Sequence, residues 1–345
     1  MKNGCVRIGL IGCGEIAAKA TVPAIQRARS AEVVATMDVN GDLAKDLAQR
    51  TGAPFHTDSA EKLIANPDVE AVIISTPHFL HAPLGIKAAK NKKHVMVEKP
   101  IATTMRDARR LVETCRKNRV KLSVAYVRRT NNRSRKAAEL IKQGAIGRLT
   151  GFSLISMAEK KDSYWSGGFT GRVKTDWRTK RETAGGGYLI MNFTHNIDLI
   201  QNMLNLKPKS VFAQYDTFRT RVEVEDYISV VVRYKNGAIG TFLGSTVCPG
   251  ALREPDHIFG THGTVVLGNP TKVFTRKKIR GLKPDEWNEV SAPGNSDRAD
   301  LIENFAQAIR GKARLAVTGA SALSSLQVIE AAYKSQETGR PTVFR

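Results

Sequence analysis

The stretch Val6-Arg7-Ile8-Gly9-Leu10-Ile11-Gly12-Cys13-Gly14-Glu15-Ile16-Ala17 decides the fold. Val6–Ile11 is an apolar run without in–out alternation, the pattern of a strand buried on both faces. Gly12, Gly14 and Ala17 then form G-x-G-x-x-A at the mouth of a helical pattern that runs to about Arg29. The first glycine permits a tight turn, the second lets backbone approach a ligand, and the small third residue lets helix pack on strand. The start of the helix offers unbonded N–H groups and the positive end of its dipole to a phosphate. Asp38 closes the next apolar run, Val33–Met37, 21 residues after Ala17. A carboxylate at that place accepts hydrogen bonds from ribose hydroxyls. Gly12, Cys13, Gly14, Glu15, Ile16 and Asp38 are therefore predicted to hold a dinucleotide. Asp38 would repel a 2′-phosphate, and no basic residue follows it before Lys45. NAD is expected in preference to NADP.

Outward from this turn, the chain alternates strand and helix. Pro54–His56, Ala71–Ser75, His94–Val97 and Leu122–Ala125 read as further strands. Thr104, three residues before Asp107, reads as a helix cap. The alternation predicts a doubly wound parallel Rossmann sheet over residues 1–126. After Tyr126 the grammar changes. Leu149–Met157, Val211–Phe218, Tyr227–Tyr234, Ile239–Thr246, His257–Gly260 and Thr264–Leu267 are successive strand runs, with a hairpin signal at Lys235-Asn236-Gly237. They predict a second α/β domain, 127–345, with a large, mostly antiparallel open sheet and two closing helices.

Composition excludes several classes. At 345 residues and 41% apolar content, the chain is large enough for two packed domains. No apolar run reaches the ~18 residues of a membrane span, and Met1–Arg7 lacks the features of a secretory signal. Cys5, Cys13, Cys115 and Cys248 show no metal-binding spacing and read as core thiols, so no metal is expected and a cytoplasmic location is. Lys and Arg outnumber Asp and Glu 54 to 32, a net charge of +22. The densest stretch, Arg106–Lys136, holds 12 basic and 2 acidic residues but mixes them with apolar residues at helical spacing. That is a solvated helix face, and no nucleic-acid-reading motif accompanies it. The charge favours an acidic small molecule over nucleic acid or membrane.

Three further motifs carry a family resemblance. Ser75-Thr76-Pro77-His78-Phe79-Leu80-His81 contains T-P-x-x-x-H, Glu98-Lys99-Pro100 is E-K-P, and Gly185-Gly186-Gly187 through His195 to Asp198 follows G-G-G-x-L-x-D-x-G-x-H-x-x-D. In order and spacing these resemble the glucose-fructose oxidoreductase / inositol dehydrogenase / rhizopine-catabolism (Gfo/Idh/MocA) family, as do His257–Gly263 and Tyr333–Pro341. The resemblance implies hydride transfer at one carbon of a sugar, cyclitol or related polyol. It implies that Lys99 positions substrate and that His195 moves the hydroxyl proton. It implies that Ser75, Thr76, Pro77, Glu98 and Lys99 line the nicotinamide side of the cofactor, and that the open sheet forms a homodimer or homotetramer. An imidazole titrating near ~6.5 suits such a proton transfer. A nearby ammonium can stabilise a developing alkoxide. His78 and His81 read as rings bonded within loops, with His81 also a candidate cofactor contact.

The chain departs from the pattern four residues before the histidine, where the family Asp is Met191 and the next motif glycine is Phe193. On a regular helix, i and i+4 share a face. Asn192 can supply a polar group there but no charge. The segment before the triple glycine is rich in Arg172, Lys174, Trp177, Arg178, Lys180 and Arg181, and Arg128 follows the last Rossmann strand. Arginine forks suit carboxylate and phosphate, and aromatic rings stack on sugars or bases. Asn192, Arg128, Arg172, Trp177 and Arg178 are thus candidate contacts to an anionic sugar: a uronate, phosphosugar or nucleotide sugar. Two alternatives stay open. One is a glycoside-cleaving enzyme that uses NAD for transient oxidation and elimination. The other is a non-catalytic ligand sensor on the same fold.

Overall fold

A computed structural model describes residues 4–252, 254–292 and 297–344. The first sheet contains β1 (Val6–Ile11), β2 (Ala31–Met37), β3 (Phe55–Thr57), β4 (Ala71–Ile74), β5 (His94–Val97) and β6 (Leu122–Val124), in the order β3-β2-β1-β4-β5-β6. All pairings are parallel. β4 is buried throughout and β1 nearly so, which is why their sequences show no alternation. Strand order reverses between β1 and β4. Ligands of such sheets bind in the crevice beyond the carboxyl ends at that reversal.

The helix after β1 departs from regular α geometry. Ala17–Thr21 is π-helical, closed by Val22 N–H donating to Ala17 O, and Val22–Arg27 then continues as α-helix. Pro23 supplies the reason. It has no N–H to give to the preceding turn, so the chain widens there. Thr104 caps the helix Met105–Lys117 as its spacing predicts, accepting from Asp107 N–H.

The second sheet has nine strands. β7 is Leu149–Met157, β8 Pro208–Asp216, β9 Tyr227–Tyr234, β10 Ile239–Ser245, β11 Asp256–Gly260 and β12 Gly263–Leu267. Three strands without a prior sequence assignment complete it: β13 (Thr271–Thr275), β14 (Trp287–Val290) and β15 (Thr342–Val343). Their order is β14-β13-β12-β11-β7-β10-β9-β8-β15, antiparallel except for β7 with β10. β9 shows the one-sided burial of this sheet. Ile228, Val230, Val232 and Tyr234 are buried while Ser229, Val231 and Arg233 face outward. Gly237 takes the β9–β10 hairpin turn at φ +87°, as the Lys235-Asn236-Gly237 signal predicts.

The compact units are not two consecutive stretches. Met1–Val127 is joined by Asp162–Gly186 and Ser296–Leu326; the other unit comprises Arg128–Lys161, Gly187–Asn295 and Gln327–Arg345. The basic segment and the helix Arg298–Ile309 fold onto the Rossmann unit through ion pairs that span more than a hundred residues. Arg172 with Asp46, Arg298 with Glu98 and Arg310 with Glu70 are examples. Sequence periodicity carries no trace of such pairs. Among the described residues, no helix is long and apolar enough to cross a membrane, and no His, Cys, Asp and Glu cluster could hold a metal ion.

Candidate active site

The crevice of the Rossmann unit is built from the turn after β1. Gly12 lies at φ +90°, and a Cβ there would sit 2.8 Å from the Ser75 carbonyl carbon and 2.9 Å from Thr76 N. The first glycine is thus required by close approach of two backbones across the strand reversal. Cys13 N–H donates to Asp38 Oδ2 at 2.7 Å, and Asn40 N–H to Oδ1 at 3.0 Å. Each carboxylate oxygen keeps further acceptor capacity, so the acid is fixed in place yet still able to bind hydroxyls. Burial, then the charge of Asp38, pushes the Cys13 thiol up to about 12, which makes it packing rather than a nucleophile. Ser75 Oγ is buried without a hydrogen-bond partner among the described residues. A polar atom left so in a crevice calls for a ligand. Together, the glycine approach, Asp38 and Ser75 fit a dinucleotide.

Beyond β4 and β5, the T-P-x-x-x-H and E-K-P segments are tied to each other. His81 Nδ1 lies 2.7 Å from Pro100 O, and Nε2 lies 3.0 Å from Thr76 O. The ring is fully buried, and burial lowers its pKa despite the two carbonyls. His81 thus holds the loops carrying Thr76, Pro77 and Lys99 in register, a ring bonded within loops as its sequence reading has it. His78 is neutral for the same reason, its pKa well below the usual value through burial and then the neighbouring His81. Its Nδ1 meets Ala184 O at 2.8 Å, and its ring packs 4.5 Å from Trp177. Glu98 is buried in an ion pair with Arg298, so its carboxylate is engaged within the protein.

The basic segment also differs from its expected role. Arg172 Nε donates to Cys13 O at 3.1 Å, and its terminal nitrogen pairs with Asp46 at 2.5 Å. The fork of Arg172, expected to contact substrate, is engaged within the protein beside the glycine turn. The Arg178 guanidinium stacks 4.5 Å over Trp177 and 5.4 Å over Tyr164.

In the other unit, the helix carrying His195 starts at the triple glycine. Glu225 is buried and holds that start three ways. Its carboxylate accepts from Gly187 N–H at 2.7 Å and Leu189 N–H at 3.0 Å, and its carbonyl accepts from Tyr188 N–H at 2.9 Å. Tyr333 Oη adds a third bond to the carboxylate at 2.9 Å. A Cβ on Gly187 would fall 2.0 Å from Glu225 O, which is why the third glycine cannot be larger. Leu189–Phe193 is π-helical before the α-helix Thr194–Met203. The wider turn shifts which residue shares a face with His195, so the plain i, i+4 relation to Met191 does not apply. Met191 is buried, whereas Asn192 and His195 are half-buried. Lys160 Nζ donates to Asn192 Oδ1 at 2.7 Å and lies 5.6 Å from the Tyr188 ring centre. Arg128 donates to Asn196 at 3.0 Å. Asp198, buried, receives both prongs of Arg129 at 2.5 and 2.7 Å. Its pKa is raised to about 6, by burial against the opposing pull of Arg129.

Comparison with known proteins agrees with this geometry. Residues 6–126 match the model of an oxidoreductase family with an NAD-binding Rossmann fold, and residues 134–266 match the GFO/IDH/MocA C-terminal domain. The chain belongs to the Gfo/Idh/MocA oxidoreductase family. It is 30% identical over 339 residues to 1,5-anhydro-D-fructose reductase of Ensifer adhaerens, covering 97% of each chain. It is 27% identical to dTDP-3,4-didehydro-2,6-dideoxy-alpha-D-glucose 3-reductase of Saccharopolyspora spinosa, covering 97% of this chain and 98% of that one. Among solved structures it is similar to the WlbA dehydrogenase of Bordetella pertussis in complex with NADH and UDP-GlcNAcA, with a TM-score of 0.84, 27% identity and 99% of both chains covered.

As a Gfo/Idh/MocA oxidoreductase, the protein is an NAD-binding enzyme of a sugar-oxidoreductase family. The family motifs lead to Lys99 and His195, but not to the residues that set the latter's surroundings. Glu225 and Lys160 sit in the unremarkable strings Val224-Glu225-Asp226 and Glu159-Lys160-Lys161. Only a two-position anomaly hinted at them: a motif carboxylate lost at 191 and an amide gained at 192.

Proposed function

We propose that this Gfo/Idh/MocA oxidoreductase transfers hydride between NAD and a carbinol carbon of an anionic sugar. The observation that carries the substrate class is the Lys160 ammonium bound to Asn192, three residues before His195. The family pattern has a carboxylate one residue earlier, at the position of Met191. Here an ammonium stands near it and Met191 is buried, so the local charge is reversed. An anionic substituent gains from that exchange, and a neutral polyol does not. Arg128, Asn192, Trp177 and Arg178 are the further proposed substrate contacts. The UDP-GlcNAcA bound by the WlbA dehydrogenase and the dTDP-sugar of the reductase carry anionic groups, whereas 1,5-anhydro-D-fructose is neutral.

The bound nicotinamide would accept or return the hydride. In the oxidation direction, His195 takes the hydroxyl proton while the carbon–hydrogen bond breaks, leaving a carbonyl. Lys99 would position the substrate and stabilise developing negative charge on it. Ser75, Thr76 and Pro77 would line the nicotinamide, and Gly12–Ile16 with Asp38 would hold the rest of the dinucleotide. The open face of the second sheet exposes Phe212, Val231, Ile239, Phe259 and Trp287. A second copy of the chain is the proposed cover for that face. Cys13 and Cys115 are buried thiols whose pKa values burial pushes up to about 12.

The test is a fluorescence titration with NADH and NADPH, followed by NAD reduction across cyclitols, neutral sugars, uronates and nucleotide sugars. Tighter NADH binding and turnover confined to anionic sugars are expected, with Lys160→Met raising their KM about tenfold, the scale of one charge-assisted contact. Equal turnover of neutral polyols would sink the anionic assignment. Cleavage of aryl glycosides without net NADH would replace dehydrogenation by transient oxidation.

A further inference from the structure

The segment 162–186 is fastened to both ends of the cofactor crevice. At one end, Gly168, at φ +69°, leaves room for the Glu15 carboxylate, which a Cβ there would meet at 2.2 Å. Glu15 Oε2 then accepts from Phe169 N–H at 2.8 Å. Three residues on, Arg172 donates to Cys13 O and pairs with Asp46, while Val173 lies 3.7 Å from the Cβ position of Gly14. The residues gripped are thus Cys13 and Glu15, on either side of the second glycine of the phosphate-binding turn. Cys13 is also the residue whose N–H orients Asp38. At the other end, Ala184 and Trp177 rest on His78, next to the Thr76–Pro77 loop.

A segment tied at both ends of a crevice, and gripping the turn that must accept a pyrophosphate, bears on how the dinucleotide enters and leaves. We propose that Arg172 is a positioning residue for the cofactor: by latching the 168–173 strap to Cys13 and Asp46, it holds the dinucleotide in place and limits its exchange. The latch is one fork engaged on a backbone carbonyl and a carboxylate. Arg50 stands 3.8 Å from the same Asp46 carboxylate and helps to fix it. The inference rests on the dinucleotide reading of the crevice but not on any substrate.

The experiment is stopped-flow displacement of NADH from the whole protein, read by nicotinamide fluorescence, with equilibrium titration alongside. Arg172→Ala is expected to speed NADH release about tenfold, the scale of losing one charge-assisted bond. Asp46→Asn should do the same from the other side of the latch, and Arg172→Lys should recover part of the slow release. The double exchange Arg172→Asp with Asp46→Arg should be slower to release NADH than either single change. Unchanged NADH release in both Arg172→Ala and Asp46→Asn overturns the proposal. So does a raised substrate KM with unchanged release, which would return Arg172 to the substrate. Failure of the wild-type protein to bind NADH would instead overturn the underlying cofactor reading.

Discussion

The helix that begins at Glu15 and the one that begins at Tyr188 are entered from glycine turns, and both contain a π-helical turn, Ala17–Thr21 and Leu189–Phe193. They answer the positive end of the helix dipole in opposite ways. At the first, Asp38 accepts from Cys13 N–H and the Glu15 carboxylate from Phe169 N–H, and a phosphate is the charge proposed for the turn. The second is closed by Glu225, a carboxylate buried inside the protein. One helix start awaits charge from a ligand. The other carries its own charge, and its work is to hold a side chain two turns in.

The sharpest way to break the comparison is to exchange the glycines. Gly187→Ala places a Cβ against Glu225 O and should cost at least about 4 kcal/mol, read as a loss of cooperative unfolding or a large fall in Tm. Gly12→Ala should leave the second sheet folded and strike the cofactor instead. It should weaken NADH on the order of a hundredfold, as expected for strain at positive φ with a backbone clash. Equal effects of the two on NADH binding would mean that the two turns do the same job.

Glu225→Ala strands two N–H groups and a tyrosine hydroxyl in a dry site, and should cost on the order of 3 kcal/mol by chemical denaturation. Glu225→Gln keeps shape and most bonds and should cost about 1 kcal/mol. If His195 depends on this cap, both variants lower kcat with little change in NADH affinity. A fall in NADH affinity alone would contradict a purely local role.

Asp198, on the same helix, gives a pH signature. Its pKa is raised to about 6 in the folded chain from an ordinary 3.8. Between those values the folded state binds more proton than the unfolded, so this contribution is present at low pH and is lost as pH rises through about 6. Asp198→Asn should remove that slope, and the difference in Tm between wild type and variant should change across pH 4 to 6.5. A constant difference would mean that Asp198 titrates normally.

The smallest effect concerns the open helix. Asp38→Asn should weaken NADH about tenfold and NADPH less, narrowing the preference. An unaltered ratio would remove Asp38 from cofactor choice.

Legibility in the sequence followed range. β1, β4 and β5 were readable because strands buried on both faces are apolar without interruption, and the G-x-G-x-x-A turn and Asp38 lie within one βαβ unit. Lys99 and His195 were readable through motif spacing. β13, β14 and β15 were missed because they are short and half-exposed, with little periodicity to detect. Arg172 was read by its charge as a substrate contact, since a guanidinium's partner cannot be inferred from its neighbours in the chain. The two bonds of His81 go to backbone carbonyls, whose identity no sequence pattern records.

The sequence by itself determined the two-sheet architecture and the nicotinamide dinucleotide turn, because each rests on local backbone preference and on residue type; Lys99 and His195 remain proposals that motif spacing supports. Tertiary structure decided the surroundings. It brought Glu225 under the triple glycine, Lys160 to Asn192, Arg298 to Glu98 and the basic segment across the cofactor crevice. These are pairings of charge with charge or with backbone over long separations, and their energies depend on burial and distance, which exist only once the chain is folded.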